Sequence, residues 1–166
     1  MPLTYQICDA PGRMDETTVV GFDGGEVSGR ALDRAIETVK DAGGSVVVVV
    51  VEVFPVDPGA PSMYGLDLTA VREPTPLMSP EPSPEIQKVL DEAARRVEAA
   101  GVEASYVWAF GDPARTIVDA AREHHAAKIV IGADHHGFFG RLFGADVEAE
   151  VKRETRLTHC EVVVVE

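Results

Sequence analysis

The chain has 166 residues, 45 % hydrophobic and 26 % charged, the make-up of one globular domain large enough to bury its own core. Its formal charge of −13 disfavours wrapping nucleic acid or approaching an anionic membrane, and no apolar run reaches the ~20 residues of a membrane-spanning helix. Residues 1–15 lack a basic start followed by an apolar stretch, so nothing there reads as a secretory signal and the cytoplasm is the expected location.

After a tail of residues 1–16, TTVVGFD at 17–23 is apolar and β-branched and ends in a carboxylate, the pattern of a buried strand. Ser28 is placed to cap a helix whose inward positions are Ala31, Leu32, Ala35, Ile36 and Val39, and Gly43-Gly44 stops it. Residues 46–53 are apolar on both faces, as a strand in a doubly covered parallel sheet must be. Residues 54–82 hold seven of the eleven prolines and no helical period, which predicts a long connection rather than a second domain. Ser83, Pro84 and Glu85 supply a cap, a first-turn proline and an early acid for a helix carrying Ile86, Val89, Leu90, Ala93, Ala94 and Val97 on one face, up to Gly101.

A strand is expected over 103–110. Asp112-Pro113 then caps a helix with Ala114, Ile117, Val118 and Ala121 inward, and 128–132 forms a short strand. Residues 134–144 read as a loop, Asp146 as the cap of a last helix, and 161–165 as a final strand. The order β-α-β-α-β-α-β-α-β predicts an open five-stranded parallel sheet with helices on both faces and right-handed crossovers. Ligands of such sheets bind beyond the carboxyl ends of the strands, where strand order reverses, which gathers Asp23, the strand end near Val51 and the loop after Gly132 around one crevice.

With these elements in place, three segments resemble the universal stress protein family. VVGFDGGEVSGRALDRAIETVKDAGGSVVVVVVEV is similar to its opening strand, Asp-Gly-Ser turn, helix and second strand. FGDPARTIVDAAREHHAAKIVIGADHHGF is similar to its Gly-x-Pro helix start and the strand that enters its nucleotide loop, and GRLFGADVEAEVKRETRLTHCEVVVVE to its last helix and valine strand. The resemblance implies a strand order of 3-2-1-4-5, the fold of the adenine nucleotide alpha hydrolases, and a crevice for an adenine nucleotide. Asp23 would then accept from a ribose hydroxyl and Val51 would lie near the base.

Members of that family that hold ATP use Gly-x2-Gly-x9-Gly-(Ser/Thr) after the fourth strand, because bare glycines and a hydroxyl let the backbone close on phosphates. Counted from Gly132 without a gap, the second glycine becomes His135, the third Ala145 and the hydroxyl residue Asp146. A one-residue gap restores Gly144 and leaves Ala145 in the hydroxyl position. An aspartate at the helix start occupies the positive end that a phosphate would use, and two anions ~4 Å apart repel by about 1 kcal/mol in water and about 4 near a protein surface. Arg141, with His135 or His136, offsets part of this, while Gly137 and Gly140 supply backbone freedom without forming a cradle.

The site is therefore expected to be an altered adenine-nucleotide site, open to AMP or adenosine more than to ATP with its magnesium, in a domain that regulates by binding and not by turnover. The rival expectations are an ATP switch with slow hydrolysis, Gly132, Gly137, Gly140 and Gly144 lining the phosphates, and an interaction scaffold using residues 54–82. Dinucleotide and Walker-type phosphate-loop patterns are absent from the sequence, and no serine lies in a nucleophile elbow. His135-His136 lacks a spaced third donor for a metal, His124-His125 suits a helix end, and Cys8 and Cys160 read as reduced structural thiols. Residues 161–165 should lie at a sheet edge, where a second copy of the chain would cover the valines, and the resemblance implies the same homodimer.

Overall fold

A computed structural model describes residues 5–6, 17–52, 81–133, 147–155 and 160–166. In chain order the elements are β1 (Tyr5–Gln6), β2 (Thr17–Gly21), α1 (Glu26–Ala42), β3 (Ser45–Glu52), α2 (Pro84–Ala100), β4 (Glu103–Phe110), α3 (Pro113–Glu123), β5 (Lys128–Gly132), α4 (Val147–Thr155) and β6 (Glu161–Val165). The sheet runs β1-β4-β3-β2-β5-β6. Its five long strands are all parallel and, numbered among themselves, stand in the expected order 3-2-1-4-5. The tail adds what no periodicity could announce: Tyr5 and Gln6 pair antiparallel with Trp108 and Val107 on the outer side of β4.

Strand alternation divides the interior into two cores. On one face Val20, Phe22, Val46, Val48, Val50, Trp108 and Val130 pack against the inward stripes of α1 and α2. On the other, Val19, Val47, Val49, Val51, Val107, Ile129 and Ile131 meet α3 and Val151 of α4. Residues 46–51 are all valine and no more than 2 % exposed, because β3 lies between two parallel neighbours and under helices on both sides. The inward positions expected for α1 are all buried, whereas on α2 Leu90, Ala93 and Val97 are buried, Ile86 and Val89 partly so, and Ala94 stays outside the core.

Helix ends follow local chemistry. The Ser83 hydroxyl accepts from the Ile86 amide at 3.4 Å with Pro84 in the first turn, and the Asp112 carboxylate accepts from the Arg115 amide at 2.8 Å ahead of Pro113. Gly101 closes α2 in the left-handed conformation, φ 68°. Ser28 departs from expectation, because α1 starts at Glu26 with Gly25 as its cap and Ser28 lies inside the first turn. Its hydroxyl is drawn backwards to Asp23, whose carboxylate already holds the Gly25 amide.

Candidate functional site

The chain leaves β2 for β3 and β4 on one side of the sheet and returns as β5 on the other, so strand order reverses between β2 and β5. Beyond their carboxyl ends lie the turn at 22–25 and residues 132–133, the place where a parallel sheet of this kind opens a crevice. Phe22 seals the floor of that turn: it is fully buried and its amide donates to the Val49 carbonyl at 2.9 Å. The Arg96 guanidinium stands 6.0 Å from the centre of its ring.

Asp23 follows, half-buried and bound on several sides. The Gly25 amide donates to Asp23 Oδ1 at 2.8 Å, the Ser28 hydroxyl donates to the same oxygen, and the Asp23 amide donates to Ser28 Oγ at 3.3 Å. Gly24, at φ 80°, makes this reversal possible, and Val89 of α2 lies 3.1 Å from where its Cβ would be. The carboxylate is thus held beside the positive end of α1, where a negative group is favoured.

Gly132 ends β5 directly behind this turn. A Cβ on Gly132 would stand 2.8 Å from Val27 Cγ1, 3.1 Å from the Val27 carbonyl carbon and 3.2 Å from the Ser28 nitrogen. Absence of a side chain there lets β5 and the start of α1 touch, a packing reason that stands whether or not a phosphate ever lies nearby. Val51 is only 2 % exposed and packs in the core on the α3 side, so its side chain is not offered to the crevice and main chain is all it can present. His135, Gly137, Gly140, Arg141, Gly144, Ala145 and Asp146 lie outside the described residues, as do Asp134, His136 and Cys8.

One polar group at the strand ends left only a faint signal in the sequence. Glu52, which terminates the valine run, accepts from the indole Nε1 of Trp108 at 3.0 Å and from the Ser83 amide at 3.5 Å. It thereby ties the end of β3 to β4 and to the start of α2, on either side of residues 53–82. The only hint was a carboxylate closing an apolar strand, and its partners stand 56 and 31 residues away. Elsewhere, His124 caps the C-terminal end of α3 and His125 is exposed. Cys160 is a free thiol pushed up in pKa by burial and then by the neighbouring Glu161 carboxylate, which disfavours the reactive thiolate. Among the described residues no group of three or more His, Cys, Asp or Glu side chains is placed to hold a metal ion, and no helix is long and apolar enough to cross a membrane.

The sequence model of the universal stress protein family matches residues 14–166. None of the curated proteins matches the chain. Among solved structures it is similar to a universal stress protein in complex with cAMP, at 26 % identity over 91 % of this chain and 96 % of that one, with a TM-score of 0.62. A protein of the same family from Burkholderia pseudomallei is 27 % identical over 93 % and 98 % of the two chains, with a TM-score of 0.60. The fold is shared too with the universal stress protein from Archaeoglobus fulgidus in complex with dAMP, 21 % identical over 93 % and 100 %, with a TM-score of 0.61.

Proposed function

The chain belongs to the universal stress protein family, and on that footing we propose that it is a cytoplasmic, homodimeric, non-catalytic stress-response domain that regulates by binding an adenine nucleotide of the monophosphate class, AMP or cAMP. The observation that carries this reading is Asp23, a carboxylate fixed by Ser28 and Gly25 at the reversal point of the sheet, where a sugar hydroxyl can donate to it. The cAMP complex of a 26 % identical relative supports the ligand class. Against a triphosphate stand Ala145 and Asp146: counted without a gap they replace the glycine and the hydroxyl expected of ATP-holding relatives, and with a one-residue gap Ala145 still stands in the hydroxyl position.

Titration calorimetry with AMP, cAMP and ATP, each with and without magnesium, tests the reading. Binding of AMP or cAMP should be insensitive to magnesium, and ATP should bind about fivefold to a thousandfold more weakly, the range that ~1–4 kcal/mol of repulsion from one anion pair spans between water and a protein surface. Asp23→Ala should lower AMP affinity by about tenfold or more, as loss of a charged hydrogen-bond acceptor does. Tight, magnesium-dependent ATP binding would instead establish a triphosphate switch.

The assembly rests on β6. It stands at the sheet edge opposite β1, and Val162, Val163, Val164 and Val165 are each only partly covered, alternating between the two cores. An apolar edge strand of this kind is relieved by antiparallel pairing with its own copy about a two-fold axis. Light scattering at micromolar concentration should return the mass of two chains, and Val163→Lys should return that of one. A monomeric parent chain under these conditions removes the dimer.

A further inference from the structure

We infer that Ser28 is the positioning residue of the crevice, holding Asp23 so that one carboxylate oxygen is spent inside the protein and the other is left for a single ribose hydroxyl, the 2′-hydroxyl common to AMP and cAMP. The inference rests on the nucleotide reading above and adds which contact the site makes with the sugar.

Ser28 Oγ meets three groups: the Asp23 amide at 3.3 Å, Asp23 Oδ1, and the Gly25 carbonyl at 3.1 Å. A hydroxyl has one proton to give and lone pairs to receive. The proton goes to the charged carboxylate in preference to the neutral carbonyl, since charge-assisted bonds are roughly twice as strong. The oxygen receives the Asp23 amide. Ser28 therefore grips Asp23 by main chain and side chain together. Oδ1 takes both this hydroxyl and the Gly25 amide, at 2.8 Å, whereas Oδ2 has no partner among the described residues.

The grip has a fixed anchor on its far side. The Ser28 nitrogen lies 3.2 Å from where a Cβ on Gly132 would stand, so the end of β5 bears on the residue that orients Asp23. The serine thus joins the two strand ends between which the sheet order reverses. A carboxylate with both oxygens available could bridge the 2′- and 3′-hydroxyls of a ribose. With both acceptor sites of Oδ1 taken by Ser28 and Gly25, only Oδ2 is left to receive from the sugar. In cAMP the 3′-oxygen is esterified, so the hydroxyl that serves both ligands is the 2′.

The experiment has two readouts, one independent of ligand. Amide hydrogen exchange on the full chain should show the Asp23 and Gly25 amides exchanging at least about tenfold faster in Ser28→Ala than in the parent, and near parent rates in Ser28→Thr, which keeps the hydroxyl. Calorimetry should show the parent binding 2′-deoxy-AMP about tenfold more weakly than AMP and 3′-deoxy-AMP equally well. Ser28→Ala should lose about tenfold for AMP and lose the discrimination, and Ser28→Thr should restore both. Unchanged exchange in Ser28→Ala overturns the grip, and so does an alanine variant that still distinguishes the deoxy sugars. If exchange responds as expected while the parent chain binds no adenine nucleotide, Ser28 still orients Asp23 and the ribose assignment fails together with the nucleotide reading.

Discussion

Replacing Phe22 by alanine should cost about 3–5 kcal/mol of unfolding free energy, the range for a large aromatic removed from a core that cannot collapse around the gap. Phe22 is fully buried between the sheet and the α1–α2 layer, with strand main chain on one side and the Arg96 guanidinium on the other. Neither neighbour can move in to fill the space. β2 is hydrogen-bonded on both edges, and Arg96 is held by Glu92 at 2.9 Å and Asp33 at 3.6 Å. Natural domains are stable by only about 5–15 kcal/mol, so one truncation removes a substantial part of the margin. With melting shifting ~2–4 °C per kcal/mol in chains of this size, the midpoint should fall by about 6–20 °C. Urea unfolding that shows a loss below about 1 kcal/mol would mean Phe22 does not carry the floor of the turn.

Gly132→Ala should destabilise by about 1–3 kcal/mol, the usual effect of forcing an atom into filled space. Two of the three atoms its Cβ would meet, the Val27 carbonyl carbon and the Ser28 nitrogen, belong to helix backbone and cannot rotate away. The third, Val27 Cγ1, can be removed. Val27→Ala introduced with Gly132→Ala should therefore recover part of the loss and not all of it, a partition that a double-mutant cycle reads directly. The same displacement carries Ser28 away from β5, so the alanine variant should also bind AMP more weakly. A Gly132→Ala protein as stable as its parent would exclude close packing between β5 and α1.

These two residues show what could be read from sequence and what could not. Phe22 was legible as part of an apolar strand, because burial on both faces leaves a run of β-branched and aromatic side chains interrupted only by Gly21. Gly132 was legible as a glycine at a strand end, but a glycine records only that something comes close. Whether that is a phosphate or a neighbouring helix depends on residues 104 and 105 positions earlier in the chain. Helix faces and the caps at Ser83 and Asp112 came from local periodicity and from side chains that bond amides within three residues, whereas the strand order came only from the resemblance to the family. Ser28 misled for the same reason: a serine near a helix start usually caps forward, and here a carboxylate five residues back offered a better acceptor. The Glu52–Trp108 pair and the Tyr5–Gln6 strand left no local trace, since each exists only through a partner distant in sequence.

The valine run of β3 has a consequence for how this chain finds its alignment. Six identical side chains carry no positional information, and sliding the strand by two residues would return every valine to its proper side. What forbids the slide is the punctuation at its ends. Moved one way, Glu52 would take the place of Val50, 1 % exposed, as an unpaired charge in hydrocarbon. Moved the other way, Ser45 would take the place of Val47 and the Trp108 indole would lose its acceptor. Correct threading of the most hydrophobic strand in the molecule is thus enforced by its polar bookends, and a neutral apolar residue at position 52 would leave the central strand free to dock two residues out of step.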